Sequence, residues 1–286
     1  MAPSARTTVP AVRARKARRG DDRLVMVTAY DAPGARIADE AGVDVILVGD
    51  SLAMVVLGYD DTLQVTVDDI AHHTAAVARA KPSALVVADL PWLSYHVSVE
   101  DTVRNAATLV RAGAQSVKLE GGRKRVAAIE AIVDAEIPVM GHLGLTPQSM
   151  HAMGGFKVQG RDSHAALQLV ADAKALEHAG CFAIVLEGVP DEVARMVTDA
   201  VDVPTIGIGA GPDCDGQVLV MHDLLGIEDR VAPKFVRRYA SLKDAAVDAV
   251  RAYAEDVRGG AFPDASESYH LTAEQSEALA LYGRSA

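Results

Sequence analysis

Along most of the chain, short unbroken runs of Val, Ile, Leu and Ala alternate with amphipathic stretches of helical period. Four of the runs, VDVILVGDS, ALVVADLP, SVKLE and FAIVLEGVP, end near a carboxylate: Asp50, Asp89, Glu120 and Glu187. Buried parallel strands read as continuous aliphatic runs because both faces are covered. A carboxylate at the exit of such a strand lies at the edge where α/β proteins gather their ligands. Four of them leaving different strands predict a converging acidic pocket suited to a metal.

The pattern predicts strands at Leu24 to Tyr30, Val43 to Gly49, Ala84 to Ala88, Ser116 to Glu120, Pro138 to Leu143, Phe182 to Leu186, Pro204 to Gly209 and Gln217 to Met221. Helices fall between them. Thr66 is placed to cap one of these, with Asp68 and Asp69 in its positive first turn, and Ser98 with Asp101 to open another. A long Gly-rich loop is expected from Gly144 to Arg161. Ser241 and Asp244 are expected to cap a last helix, and the polar tail from Gly259 to be loosely held or docked on a neighbour. Eight strands with intervening helices predict a (β/α)8 TIM barrel, with an open doubly wound sheet as the alternative. The barrel is favoured because it gathers residues from many strands at one mouth. The expected organisation is an N-terminal arm or short helix over 1–22, the barrel over 23–260 and a tail over 261–286.

Composition sharpens this picture. The 286 residues exceed the roughly 250 that such a barrel needs. Half are hydrophobic but only 4% aromatic, so the core must be aliphatic. A net charge of −11 argues against a nucleic-acid partner. The one basic stretch, Arg13 to Arg19, reads as a solvated arm or short helix and at most a weak RNA-binding signal. No segment has the length of a membrane span and no leader pattern is present, so a cytoplasmic protein is expected. Two cysteines make neither a disulfide framework nor a zinc site; Cys181 is expected in the core, and Cys214 in a loop where it could react.

Side chains alternate along a strand, so Lys118 and Glu120 should point one way and Leu119 the other. Two charged groups aimed into a barrel make either an internal ion pair or a site. Asp50, Asp89 and Glu120 together suit a hard cation, because Mg²⁺ takes one or two direct carboxylates plus water and substrate oxygens. Singly, Asp50 is as well explained as a turn residue and Asp89 as a loop cap before Pro91.

The stretches MVTAYDAPGARIADEAGVDVILVGDSLAMVVLGY, VVADLPW, SVKLEGG, PVMGHLGLTPQSMHAMGGFKVQGR, IVLEGVP, IGIGAGPDCDGQVLVMHDLLG and PKFVRRY together resemble the ketopantoate hydroxymethyltransferase family, from about Leu24 to His270. The resemblance implies a barrel of the phosphoenolpyruvate/pyruvate type. It also implies transfer of a hydroxymethyl group from 5,10-methylenetetrahydrofolate to 3-methyl-2-oxobutanoate through a Mg²⁺-stabilised enolate, on the route to pantothenate and coenzyme A. By the same resemblance Asp50 and Asp89 serve Mg²⁺ or another divalent metal, with Glu120 as a nearby or water-mediated partner. Asp50, Ser51, Asp89 and Lys118 meet the α-keto acid, and Glu187 is the general base. His142 is a further substrate or water contact, with a structural histidine as the alternative. The resemblance implies a homo-oligomer as well, a decamer. The Gly144 to Arg161 loop is expected to help cover the pterin, in which case deleting Met153 to Gly155 raises the KM for the folate. The IGIGAG stretch resembles a phosphate cradle, but tight backbone approach is the preferred reading of its glycines.

Two rivals stand beside this reading. A C–C lyase of the isocitrate lyase or phosphoenolpyruvate mutase kind would use the same enolate, but no cysteine sits in a Gly-rich loop as in those lyases. A non-catalytic barrel would be expected to have lost one of Asp50, Asp89, Lys118, Glu120 or Glu187, and all five are present.

Overall fold

The structure, a computed structural model, describes residues 6–17, 22–228 and 233–282. It divides into two compact units, 1–239 and 240–286. In the first, eight parallel strands close a barrel in sequence order: β1 Leu24–Thr28, β2 Val45–Val48, β3 Leu85–Asp89, β4 Ser116–Glu120, β5 Val139–Gly144, β6 Ala183–Glu187, β7 Thr205–Ile208 and β8 Gly216–Leu219. Pairing of Met26 with Val218 joins β1 to β8 and removes both sheet edges. All eight expected strands are therefore present, the last beginning one residue early and ending two short.

Ahead of the barrel stands α1 (Val9–Arg13); around it run α2 (Ala32–Glu40), α3 (Leu52–Val55), α4 (Val67–Arg79), α5 (Val99–Arg111), α6 (Val126–Asp134), α7 (Met150–Met153), α8 (Ser163–His178), α9 (Asp191–Ala200) and α10 (Met221–Leu224). The caps act as the sequence suggests. Thr66 Oγ1 accepts from Asp69 N at 3.2 Å while Asp69 Oδ2 accepts from Thr66 N at 2.9 Å, a reciprocal box opening α4. Ser98 Oγ accepts from Asp101 N at the start of α5.

Alternation along the strands sorts the core into two layers. Val117, Leu119, Val139, Ile184 and Leu186 face outward into the packing between strands and helices. Leu24, Met26, Val45, Leu47, Leu85, Val87, Met140, Val185, Ile206 and Val218 fill the barrel itself. The interior is almost wholly aliphatic, as so few aromatics require.

The bottom of the barrel is where expectation and structure part. The basic stretch takes the short-helix alternative as far as it is described, and Arg15 and Lys16 are docked rather than solvated. α1 and the 3₁₀ turn after it, Ala14–Ala17, dock beneath the strands, and Val12 is fully buried among the interior residues. Arg15 Nη2 bonds Asp44 Oδ1 at 2.9 Å, and Lys16 Nζ bonds Thr198 O at 2.6 Å and Asp215 Oδ2 at 2.9 Å. Asp44 and Asp215 lie just before β2 and β8, and Thr198 in the last turn of α9. Arg18 and Arg19 lie outside the described residues. Lys16→Met removes the cation beside a carboxylate whose side chain is only 2% exposed. Asp215 keeps its bonds from Thr205, so a loss of about 2 kcal/mol is expected. That corresponds to a melting point lower by about 5 °C with kcat unchanged, as a thermal melt and a turnover assay would show.

Gly209, at φ +62°, sits so close to the Phe235 ring that a Cβ would come within 2.5 Å of it. Tight backbone approach therefore accounts for this glycine of IGIGAG. Cys214 lies in the loop between β7 and β8, as expected, but is buried. Burial raises its thiol pKa despite bonds from Thr205 and Thr198, so it carries little thiolate and is not a reactive position. Cys181 lies in the core, its thiol pushed up to about 12 by burial.

The second unit holds α11 (Leu242–Gly259) and α12 (Ala273–Tyr282). Ser241 stands at the start of α11 but its side chain makes no capping bond. The helix within the tail was not expected. Its signal is Thr272-x-x-Gln275: Thr272 Oγ1 accepts from Gln275 N at 3.2 Å, and Gln275 Oε1 accepts from Thr272 N at 3.0 Å.

Candidate active site

The carboxyl-terminal mouth of the barrel is built around β4. Its inward positions, Ser116, Lys118 and Glu120, are all polar and buried, whereas Val117 and Leu119 face the helices. Strand register sets Asp89 beside Lys118, Glu120 beside His142 and Gly144 beside Glu187. Asp50 follows β2, with its backbone N–H donating to Asp89 Oδ2 at 3.0 Å.

The side chains form one connected network. Lys118 Nζ lies 2.7 Å from Asp89 Oδ1 and 3.4 Å from His142 Nδ1. His142 bridges two carboxylates, with Nδ1 3.3 Å from Glu120 Oε1 and Nε2 3.3 Å from Glu187 Oε2. The expectation that His142 contacts a substrate is thus joined by a definite structural role between Glu120 and Glu187. Ser51 Oγ lies 2.8 Å from Tyr30 OH at the entrance to α3. The structure gathers Asp50, Asp89, Lys118, Glu120, His142 and Glu187 at one mouth.

Electrostatics mark the mouth as short of positive charge. Burial, then the charges of Asp89 and Glu120, raises the Asp50 pKa well above the ordinary value, against the smaller opposing pull of Lys118. Burial also raises Asp89, although Lys118 beside it works the other way. Burial disfavours the ammonium of Lys118, but Asp89, Glu120 and Asp50 outweigh it and hold the group protonated. His142 is pushed up to about 9: burial and Lys118 lower it, and the bonds to Glu120 and Glu187 more than offset both. Four carboxylates thus face one ammonium and one imidazolium.

This donor set fits a hard divalent cation. The carboxylate oxygens of Asp50, Asp89 and Glu120 are hard donors, and among the described residues Asp50 Oδ1 accepts no hydrogen bond while Oδ2 accepts from Gln148. Among the described residues no three His, Cys, Asp or Glu side chains close around one point, so such an ion would need water or substrate oxygens to complete its shell.

Three residues of the network escape the sequence reading. Gln148 was assigned to an open loop, yet the segment begins with a 3₁₀ turn, Pro147–Ser149, continues as α7, and buries Gln148. Its Nε2 donates to Asp50 Oδ2 at 2.8 Å and its backbone N–H to Glu120 Oε2 at 3.0 Å. Tyr95 OH donates to Gln148 Oε1 and accepts from Glu120 N. Tyr30 completes the set through Ser51. Nothing in their local sequence marks the two tyrosines, and only the buried environment of Gln148 shows its use.

Residues 6–265 match the family model described as ketopantoate hydroxymethyltransferase. The chain belongs to the ketopantoate hydroxymethyltransferase family. Curated relatives agree. A 3-methyl-2-oxobutanoate hydroxymethyltransferase of Moorella thermoacetica is 58% identical over 270 residues, covering 94% of this chain and all (100%) of the relative. Another from Syntrophobacter fumaroxidans is 54% identical over 275 residues, 96% of each. Among solved structures, phosphonopyruvate hydrolase superposes with a TM-score of 0.60 at 19% identity, covering 97% of this chain and 95% of that one. A 2,3-dimethylmalate lyase of the PEP mutase/isocitrate lyase superfamily gives 0.59 at 20% identity, covering 92% and 89%. These last two share the barrel; the sequence relatives place the chain among ketopantoate hydroxymethyltransferases, and it is an enzyme of that family. Among the described residues no helix is long and apolar enough to cross a membrane.

Proposed function

We propose that the chain transfers a hydroxymethyl group from 5,10-methylenetetrahydrofolate to 3-methyl-2-oxobutanoate, giving 2-dehydropantoate for pantothenate and coenzyme A synthesis. The supporting observation is the separation of Glu187 from the other three carboxylates: it stands across His142 from Glu120, at the end of β6, with its side chain 16% exposed. A general base for a carbon acid must keep its charge and reach the C–H bond. Asp50 and Asp89, with Glu120 directly or through water, would hold a divalent cation such as Mg²⁺. When bound, that cation would stabilise negative charge growing on the keto oxygen.

The protein's own groups do the rest. Ser51 and Lys118 bind and orient the α-keto carboxylate, and Lys118 offsets its charge. Glu187 takes the C3 proton, and His142 Nε2, 3.3 Å from Glu187 Oε2, holds the direction of its carboxylate. Water cleaves both C–N bonds of the folate's methylene group, giving formaldehyde and tetrahydrofolate, whose two nitrogens keep the protons. The C3 carbon, now nucleophilic, adds to the formaldehyde carbon, and the oxygen there takes up the proton removed from C3 to become the hydroxyl. The segment from Gly144 to Arg161, anchored by Gln148 at one end and by the bond from Gln159 N to Gly188 O at the other, would cover the pterin.

Proton NMR of 3-methyl-2-oxobutanoate in D₂O with enzyme and Mg²⁺ tests this directly. Loss of the C3 methine signal, followed by a hydroxymethyl product once the folate is added, is the expected result. Exchange without product would leave the base in place but point to lyase-like chemistry. Neither signal from folded protein would overturn the reading.

A further inference from the structure

We propose that Gln148 is a positioning residue that sets the Asp50 carboxylate for cation binding and ties this setting to the docking of the segment after β5. Every polar atom of its side chain is used. One amide N–H donates to Asp50 Oδ2 at 2.8 Å, the other to Leu90 O at 3.0 Å, and the carbonyl accepts from Tyr95 OH. Its backbone N–H reaches a second carboxylate, Glu120 Oε2, at 3.0 Å. The residue is only 5% exposed. A neutral side chain held at three points beside carboxylates does not neutralise them. It fixes their direction.

The direction matters for Asp50. With Oδ2 committed to Gln148, the other oxygen is turned away from the amide and free to bind a ligand. A carboxylate so held pays no orientational cost when an ion arrives, which is why outer partners of metal ligands typically change affinity 10–100-fold when removed. The Tyr95 hydroxyl fixes the amide in turn: it donates to Gln148 Oε1 and accepts from Glu120 N at 3.2 Å. The same amide is the inner anchor of a segment whose outer part, around Phe156 and Val158, is exposed. Undocking that segment would therefore release Asp50, and cation binding would favour the docked state.

This role rests on Asp50 being a cation ligand. The probe is Mn²⁺, its free concentration followed by electron paramagnetic resonance in the presence of 3-methyl-2-oxobutanoate. Gln148→Met, close in shape and without the amide, should weaken Mn²⁺ binding about tenfold or more. C3 exchange measured at saturating Mn²⁺ should recover to within about threefold of the wild type, because the amide acts on binding and not on the base. Tyr95→Phe should shift affinity in the same direction by less, and it keeps the fold testable if Gln148→Met melts early. Unchanged Mn²⁺ affinity in both variants, with or without a lower melting point, would overturn the role and leave a packing residue. Failure of the wild type to bind Mn²⁺ would take down the cation reading of Asp50 and this role with it.

Discussion

Replacing Glu187 with glutamine is expected to slow exchange of the substrate's C3 hydrogen about a thousandfold while leaving cation-dependent keto-acid binding within about threefold. The separation follows from position. Glu187 meets the network only through His142 Nε2, at 3.3 Å, and a glutamine carbonyl can accept there in its place. What glutamine cannot do is take a proton from carbon. Exchange followed by NMR, paired with calorimetric binding of 3-methyl-2-oxobutanoate in the presence of Mg²⁺, checks both halves. Intact exchange in the variant would move the base elsewhere.

Asp89→Asn should fail in the opposite way. Its Oδ1 is the 2.7 Å partner of Lys118, and both side chains are nearly sealed from solvent, at 3% and 5% exposure. Removing one member of a buried pair leaves an uncompensated charge and costs about 3–5 kcal/mol. A drop of roughly 10 °C in melting point follows. Cation and keto-acid affinity should fall by more than about 100-fold, since a direct ligand is lost rather than an outer partner. Titration of exchange with Mg²⁺ in the folded variant gives the affinity. Wild-type affinity would remove Asp89 from the ligand set. Identical failure of Asp89→Asn and Glu187→Gln in binding and exchange would abolish the division between ligand and base.

The barrel was legible because its strands obey simple rules. Continuous aliphatic runs marked burial on both faces, and the period of two in SVKLE placed Lys118 and Glu120 together inside with Leu119 outside. The carboxylates were legible because Asp89, Glu120 and Glu187 end their strands at the mouth and Asp50 follows β2 by two residues. Gln148 was not, since its partners Asp50, Leu90 and Tyr95 lie 53 to 98 positions away and nothing in the local pattern of LTPQSM announces burial. The docking of the basic stretch is hidden in the sequence for a related reason. A run of Arg and Lys looks the same whether it meets water or meets Asp44 and Asp215. The tail helix is hard to read because its Thr272–Gln275 box stands in a polar context.

The docked amino end has a consequence for synthesis. Lys16 and Asp215 are 199 positions apart, and β1 pairs with β8 beside them. At about 5–20 residues per second, α1 leaves the ribosome on the order of 10–40 s before its partners exist. For that interval the apolar face carrying Val12 has no barrel to fill, so chaperone capture of the nascent chain belongs to this window. Closure of the barrel and seating of α1 are then one late event, of high contact order, completed only once the strand that ends at Leu219 has emerged.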